Sequence, residues 1–200
     1  MRLRLTVAAI LLTLVAAAIW GPKYFNTHVR GNFREVVPGV VYRSSQPTAA
    51  QLARWQKRYG LKTVINLRGT DTSEYAEERS ATDRLGLRQI DIAWPQNRLL
   101  TLADVRTLQA AVAGSPGPYL VHCGAGVNRS AAVAVLMAMA VGHQDYRVAR
   151  VQLKSVHWGL HDADAWARGR FAEYEDYCRQ NGLDTDGWTQ FYQWLEKSER

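Results

Sequence analysis

The sequence predicts an α/β fold, with a twisted, mostly parallel central sheet flanked by helices and with extra helices at the carboxyl end. Short apolar runs rich in β-branched residues alternate with longer stretches of helical periodicity, and this alternation is typical of parallel sheets covered on both faces. The chain has 200 residues, of which 47% are hydrophobic and 22% charged, so it can bury a core of ordinary size. We therefore expect one folded domain over residues 33–200.

Turn and capping signals delimit the individual elements. Pro38 and Gly39 separate two β-rich runs, which predicts a hairpin. Thr48 and Gln51 predict a capping box that begins a helix ending at Gly60. Strands are expected over KTVINL, LRQIDIAW and 119–122, and further helices over 71–86, 101–113 and 130–141, with three more that begin near Asp145, Asp162 and Trp188.

The first 22 residues form a separate segment. Arg2 and Arg4 precede an uncharged apolar run that continues to Pro22, near the length of about 20 residues that a spanning helix needs. This length favours an uncleaved signal anchor, and the alternative is a signal peptide cut after Ala18. In both cases the arginines stay inside, so the folded domain is expected outside the cytoplasm, anchored or secreted, on the periplasmic side if the source is bacterial. Residues 23–32 are predicted to form a polar connector.

Charge and composition limit the partners. The net charge of +7 favours anionic partners such as phosphates or acidic lipid surfaces. The basic residues are spread along the chain without a nucleic-acid motif, so no nucleic-acid binding is expected.

The two cysteines form no disulfide framework, and Cys178 is expected in the core. His157 and His161 have the spacing of a metal pair, but Gly159 interrupts them and no acidic third ligand stands out, so no metal site is expected. The oligomeric state is left open.

The segment VHCGAGVNRS carries the strongest chemical pattern. Five residues separate Cys123 from Arg129, between a predicted strand and a strongly apolar helix. Such a loop places its backbone N–H groups around a common centre, and the helix dipole adds positive potential. Both glycines are expected to permit the tight backbone that this requires. The loop therefore predicts a phosphate cradle made by Gly124, Ala125, Gly126, Val127, Asn128 and Arg129.

The side chains around this cradle have distinct expected roles. A cysteine at a helix N-terminus and near an arginine is stabilised as the thiolate, which makes Cys123 the candidate nucleophile. The planar guanidinium of Arg129 matches two phosphoryl oxygens. Ser130 is expected to donate a hydrogen bond to the sulfur. His122 is expected to organise the loop through hydrogen bonds without acting as the base.

At these residues the chain resembles the protein tyrosine phosphatase superfamily, through its pattern of His-Cys, five residues, Arg and Ser or Thr. The motif lies about three-fifths along the chain, which is similar to the dual-specificity branch. Two further segments, VYRSSQPT at 41–48 and LKTVINLRG at 61–69, resemble the atypical dual-specificity phosphatases of bacteria, fungi and plants. The resemblance covers roughly residues 40–142.

The resemblance implies a phosphatase that forms a phosphocysteine at Cys123, which water then hydrolyses without a metal or organic cofactor. Phosphotyrosine, phosphoserine or phosphothreonine in proteins is the first expected substrate class. A phospholipid or another small phosphate ester at the membrane is the alternative. A sensor that binds phosphorylated ligands with little turnover is a third reading.

One part of the family pattern is missing. The family protonates the leaving oxygen with an aspartate on a loop often written Trp-Pro-Asp, and this chain has Trp94-Pro95-Gln96. Gln96 therefore takes the acid's place, although an amide cannot serve as a general acid. Either the enzyme works without an acid or another carboxylate serves. The candidates are Asp91, Asp71, Glu74 and Asp162.

Overall fold

The computed structural model describes residues 11, 13–18, 20–22, 24–25, 29–154 and 162–200. Its sheet has five strands in the order β1-β2-β5-β3-β4. β1 pairs with β2 in antiparallel fashion, and the other three pairings are parallel, which confirms the predicted mostly parallel sheet. The strands are β1 (Arg34–Val37), β2 (Val41–Ser44), β3 (Thr63–Asn66), β4 (Arg88–Asp91) and β5 (Tyr119–His122).

Helices connect and cover these strands. The capping boxes at Thr48 and Thr101 are present, and each satisfies backbone N–H groups at the start of a helix. The helices are α1 (Ala49–Tyr59), α2 (Tyr75–Arg84), α3 (Leu102–Ala113), α4 (Arg129–Ala140), α5 (Tyr146–Ala149), a 3₁₀ turn (Arg150–Leu153), α6 (Ala165–Gln180) and α7 (Trp188–Ser198).

Three elements differ from their predicted bounds, and the first is α2, which begins at Tyr75 and not at Asp71. β4 ends at Asp91 and not at the end of LRQIDIAW, because the N–H of Trp94 bonds locally to the carbonyl of Ile92 at 2.7 Å. The helix expected near Asp162 begins three residues later, because Asp164 has extended backbone angles and takes the N-cap position.

The two faces of the sheet bury different layers. Leu52 and Trp55 of α1 and Ala81 of α2 pack on one face with Leu120 of β5. On the other face, residues 130–139 of α4 are all buried, which confirms the strongly apolar helix predicted over 130–141. The predicted core cysteine Cys178 is buried there too. Because β5 runs parallel to β2 and β3, the loop between β5 and α4 lies at the carboxyl edge of these strands, where parallel sheets bind ligands.

The amino-terminal segment is described only in part. Residues 1–10, 12, 19 and 23 of the predicted anchor and connector, together with 26–28, lie outside the described residues, as do His157 and His161. Within the described part of the chain, no helix combines the length and apolarity needed to cross a bilayer.

Candidate active site

The carboxyl end of β5 leads directly into the predicted cradle. Cys123 follows the strand, the loop ends at Asn128, and α4 begins at Arg129. The loop therefore lies at the amino end of a helix, where N–H groups and the dipole favour an anion. Cys123 is 3% exposed, and its Sγ lies 3.5 Å from the Oγ of Ser130. The structure brings the candidate nucleophile next to the hydroxyl expected to assist it.

Hydrogen bonds to the loop carbonyls orient its peptide groups. The side-chain amide of Asn32 donates to the carbonyls of Ala125 at 3.1 Å and Gly126 at 2.8 Å. The backbone N–H of Gln46 donates to the carbonyl of Gly124 at 2.9 Å. Because a trans peptide holds its C=O and N–H on opposite sides, these carbonyls turn the following N–H groups toward the cradle. The loop thereby acquires an anion-binding face.

Gly126 lets the loop pass close to the end of β2. Its φ is +71°, a left-handed conformation that glycine adopts without steric cost. A Cβ there would lie 2.6 Å from the N of Ser45 and 2.7 Å from the carbonyl carbon of Ser44. Gly124 is not left-handed, and a Cβ on it would meet no described atom within 4 Å. The expectation that both glycines are needed for the backbone is therefore wrong for Gly124.

Gly126→Ala is expected to lower the free energy of unfolding by about 2–4 kcal/mol, because the new methyl group meets the β2 backbone in a strained conformation. Gly124→Ala is the matched control and should stay within about 0.5 kcal/mol of wild type. Urea titrations of the two variants measure the difference. Equal destabilisation of both would contradict the role assigned to Gly126.

Arg129 crosses from the start of α4 to the end of β3. Its Nη1 donates to the carbonyl of Leu67 at 2.9 Å, which fixes the guanidinium beside the loop. Burial lowers the pKa of Arg129, the Cys123 sulfur opposes this effect, and the charge of Arg68 adds to it. The loop residue Val127 is buried. The charges of Arg129 and Cys123 are close enough to affect each other, in keeping with the phosphate-binding role predicted for Arg129.

His122 is connected to the loop through α2. Its Nε2 lies 2.7 Å from Oε1 of Glu78, and both side chains are buried. The other oxygen of Glu78 accepts a hydrogen bond from Nε2 of Gln46 at 2.6 Å. Since the backbone of Gln46 holds Gly124, the hydrogen bonds of His122 reach the loop through two intermediate residues.

No motif predicts that Asn32, Gln46 and Glu78 hold the loop, although all three do. Glu78 carries one signal, because it shares a helix face with the buried residues Ala81 and Thr82. A carboxylate on such a face needs a partner. Asn32 and Gln46 lie in polar stretches where no periodicity distinguishes them from their neighbours.

A second missed contact joins the loop to α6. The Nδ2 of Asn128 donates to Oδ2 of Asp164 at 2.7 Å, and the backbone N–H of Asp164 donates to Oδ1 of Asn128 at 2.8 Å. Asp164 is exposed. This reciprocal pair places the carboxylate of Asp164 at the rim of the cradle, against Asn128, which directly precedes Arg129.

The expected acid position holds an exposed amide. Gln96 lies on the loop after β4. Asp91, at the end of β4, is already engaged: its Oδ1 accepts hydrogen bonds from Asn66 and Gln89 at 2.9 Å each, and its Oδ2 accepts one from Tyr75 at 3.0 Å. These donors tie Asp91 to β3 and α2, which argues against its use as the acid.

The other three carboxylates also lie at or near the protein surface. Asp71 accepts a hydrogen bond from Thr70 at 3.2 Å, and Asp162 is exposed. Glu74 pairs with Arg68 at 3.2 Å. Hydrogen bonds from Arg68 and then Ser73 lower the pKa of Glu74, which opposes a role as proton donor.

The loop at the carboxyl edge of a mostly parallel sheet, with its cysteine and arginine, defines a phosphatase of the protein tyrosine phosphatase class. A family model described as a DSP-PTPase phosphatase fused to NAD⁺ kinase matches residues 17–165. The chain belongs to this DSP-PTPase family. A sequence comparison with curated proteins finds no match.

Solved structures share the fold. The catalytic core of the PP-IP phosphatase Siw14 from S. cerevisiae is 16% identical, with a TM-score of 0.55 over 78% of this chain and 96% of that one. A putative phosphatase from Shewanella putrefaciens CN-32 is 21% identical, with a TM-score of 0.53 over 65% and 83%. TpbA from P. aeruginosa is 28% identical, with a TM-score of 0.48 over 66% and 80%. The first two confirm the predicted fold class.

Proposed function

We propose that the protein hydrolyses phosphate monoesters through a phosphocysteine intermediate. The observation that carries this is the buried sulfur of Cys123, within 3.5 Å of Ser130 Oγ and at the N-terminus of α4. The thiolate attacks phosphorus, and the bond from phosphorus to the ester oxygen breaks with its electron pair on that oxygen, which takes up a proton from water. Water then attacks the phosphocysteine and releases phosphate, while Ser130 stabilises the departing thiolate.

Phosphorylated protein side chains are the substrate class we favour, with phosphotyrosine first. The nucleophile is almost fully buried, so the phosphate must reach it on an extended arm. Residues 124–128 carry no charge, so the loop itself offers no cations to a densely phosphorylated headgroup. A phospholipid or another small phosphate ester remains the second candidate, supported by the exposed apolar side chains of Leu11, Leu14 and Trp20.

The rate of phosphate release from different substrates distinguishes a protein phosphatase from a phosphatase of lipids or small esters. The full chain is assayed with phosphotyrosyl and phosphoseryl peptides of one sequence and with phosphatidic acid in vesicles and in detergent. We expect the phosphotyrosyl peptide to have the highest kcat/KM. Acid quenching during turnover should trap phosphate on Cys123. Binding of all these compounds without phosphate release would favour the sensor.

We also propose that the domain lies outside the cytoplasm. The charges of Arg2 and Arg4 before an apolar run support this orientation. Alkaline phosphatase fused after Lys23 is expected to be active in a bacterial host, because that enzyme needs an oxidising compartment for its disulfides. A cytoplasmic reporter fused at the same residue is the control. Activity of the cytoplasmic reporter alone would reverse the proposed topology.

A further inference from the structure

A recess of about 420 Å³ opens beside the phosphate cradle. It is lined by the loop residues Gly124 and Ala125, and also by Gln46, Arg68 and Glu74. The recess therefore adjoins the place where a substrate phosphate would bind. It has no role in the reaction described above.

Arg68 is the only cation among the described residues that line this recess. It directly follows Leu67, whose carbonyl holds Arg129. The two guanidinium groups are close enough for the charge of Arg68 to lower the pKa of Arg129, after the larger effect of burial. A second cation thus lies in the recess beside the one at the cradle, which suits an anion that carries two negative groups.

The position of Arg68 is set by hydrogen bonds that lead through Gln46 to a buried carboxylate. Its Nη1 donates to Oε1 of Gln46 at 2.7 Å, and Nε2 of Gln46 donates to the buried carboxylate of Glu78 at 2.6 Å. Since the same carboxylate holds His122, one chain of hydrogen bonds orients Arg68 and the strand before the nucleophile. Arg68 is therefore preorganised, which reduces the entropy lost when a ligand binds.

The acidic partner of Arg68 is exchangeable. Glu74 lies 3.2 Å from Nη1 of Arg68, and its side chain is 46% exposed against 19% for the arginine. An ion pair of this exposure contributes about 0–1 kcal/mol. A substrate anion with better geometry can therefore displace Glu74 without a large energetic loss.

We propose that this recess is a second anion subsite, in which Arg68 binds a carboxylate or phosphate group that the substrate carries beside its scissile phosphate. Glu74 is the counterion that the substrate displaces. The proposal rests on the proposed phosphatase activity and defines its substrate class: a phosphate monoester with a second anionic group. An acidic residue beside a phosphorylated side chain and a second phosphate on a small molecule both have this chemistry.

The test compares 3-carboxyphenyl phosphate with 3-carbamoylphenyl phosphate, which are similar in size and differ in charge. The measured quantity is the ratio of their kcat/KM values for the full chain, because changes in this ratio between variants cancel any difference in leaving-group basicity. We expect the charge of the carboxylate to raise the wild-type ratio by roughly tenfold at low salt, and we expect this gain to fall as salt screens the charge.

Two variants should move this ratio in opposite directions. Arg68→Gln is expected to lower it by about tenfold relative to wild type, whereas Glu74→Gln should raise it by about threefold. Glu77→Gln is the matched control. Glu77 is an exposed glutamate in the first turn of α2, the helix that Glu74 caps, and it lies outside the recess lining. Since Glu74 is largely exposed, its variant keeps the test valid even if Arg68→Gln fails to fold.

Two further substrate pairs distinguish the source of the anion. Phosphotyrosyl peptides with Glu or Gln beside the phosphotyrosine test a protein source, and resorcinol bisphosphate against phenyl phosphate tests a second phosphate. A preference in either pair that depends on Arg68 supports the subsite. Hydrolysis of the carbamoyl ester with no charge preference in any pair would overturn the subsite and leave the phosphatase assignment standing. Equal losses for both members of each pair in Arg68→Gln would also overturn it, since they would make Arg68 a positioning residue.

Discussion

Replacing Cys123 with serine is expected to lower kcat for p-nitrophenyl phosphate by about 10⁴-fold or more, the scale of loss when an enzyme loses its nucleophile. A serine hydroxyl stays protonated in this environment, so no phosphoenzyme can form. The side chain is buried beside Ser130, and the substitution is close to isosteric, so the fold should persist. Steady-state kinetics and thermal unfolding of the same preparation measure the two effects separately.

Cys178→Ser is the matched control for this substitution. Cys178 is also buried, and Nε2 of Gln190 lies 3.5 Å from its sulfur. Burial raises the pKa of Cys178, which keeps it as a thiol. We expect its replacement to change stability and leave kcat within a few fold of wild type.

Arg129→Ala should lower kcat by roughly 10³–10⁵-fold, as for arginines that stabilise phosphoryl transfer. Unimpaired turnover by Cys123→Ser would end the phosphocysteine proposal.

The second large effect concerns the leaving group. Because Gln96 holds the acid position, aryl phosphates should be cleaved much faster than alkyl phosphates, and the rate should fall steeply as leaving-group pKa rises. A general acid contributes about 10²–10⁴ in rate, so the difference should be of this order for basic leaving groups. The pH profile should also lack the descending limb that an ionising acid produces. A series of substituted phenyl and alkyl phosphates measures the slope.

Gln96→Asp should improve the turnover of poor leaving groups and restore the descending limb. Gln96 is exposed on the loop after the buried Trp94, so a carboxylate there costs little in folding. A flat leaving-group dependence would instead indicate a hidden acid. Asp164 is then the first candidate, since it hydrogen-bonds to Asn128 of the loop. Substitution of Asp162, Asp71, Glu74 and Asp91 should follow, and the acid is the residue whose loss steepens the dependence.

The sequence predicts the structural features whose physical cause lies within a few neighbouring residues. The hairpin at Pro38-Gly39 and the capping box of Thr48 and Gln51 depend on backbone preferences and on side chains three residues apart. The loop from Cys123 to Arg129 also depends only on neighbouring residues. Its N–H groups, helix dipole and nucleophile all come from one continuous segment, so the sequence was sufficient to predict where the cradle lies.

The sequence by itself determined the α/β class, the position of the cradle and the residues that form it. Only the tertiary structure decided which side chains support and border that cradle. Glu78 meets His122 across 44 residues, Asn32 meets Gly126 across 94, and Asp164 meets Asn128 across 36. These contacts depend on which helix packs against which face of the sheet, which is set by the burial of the whole core and not by any local pattern.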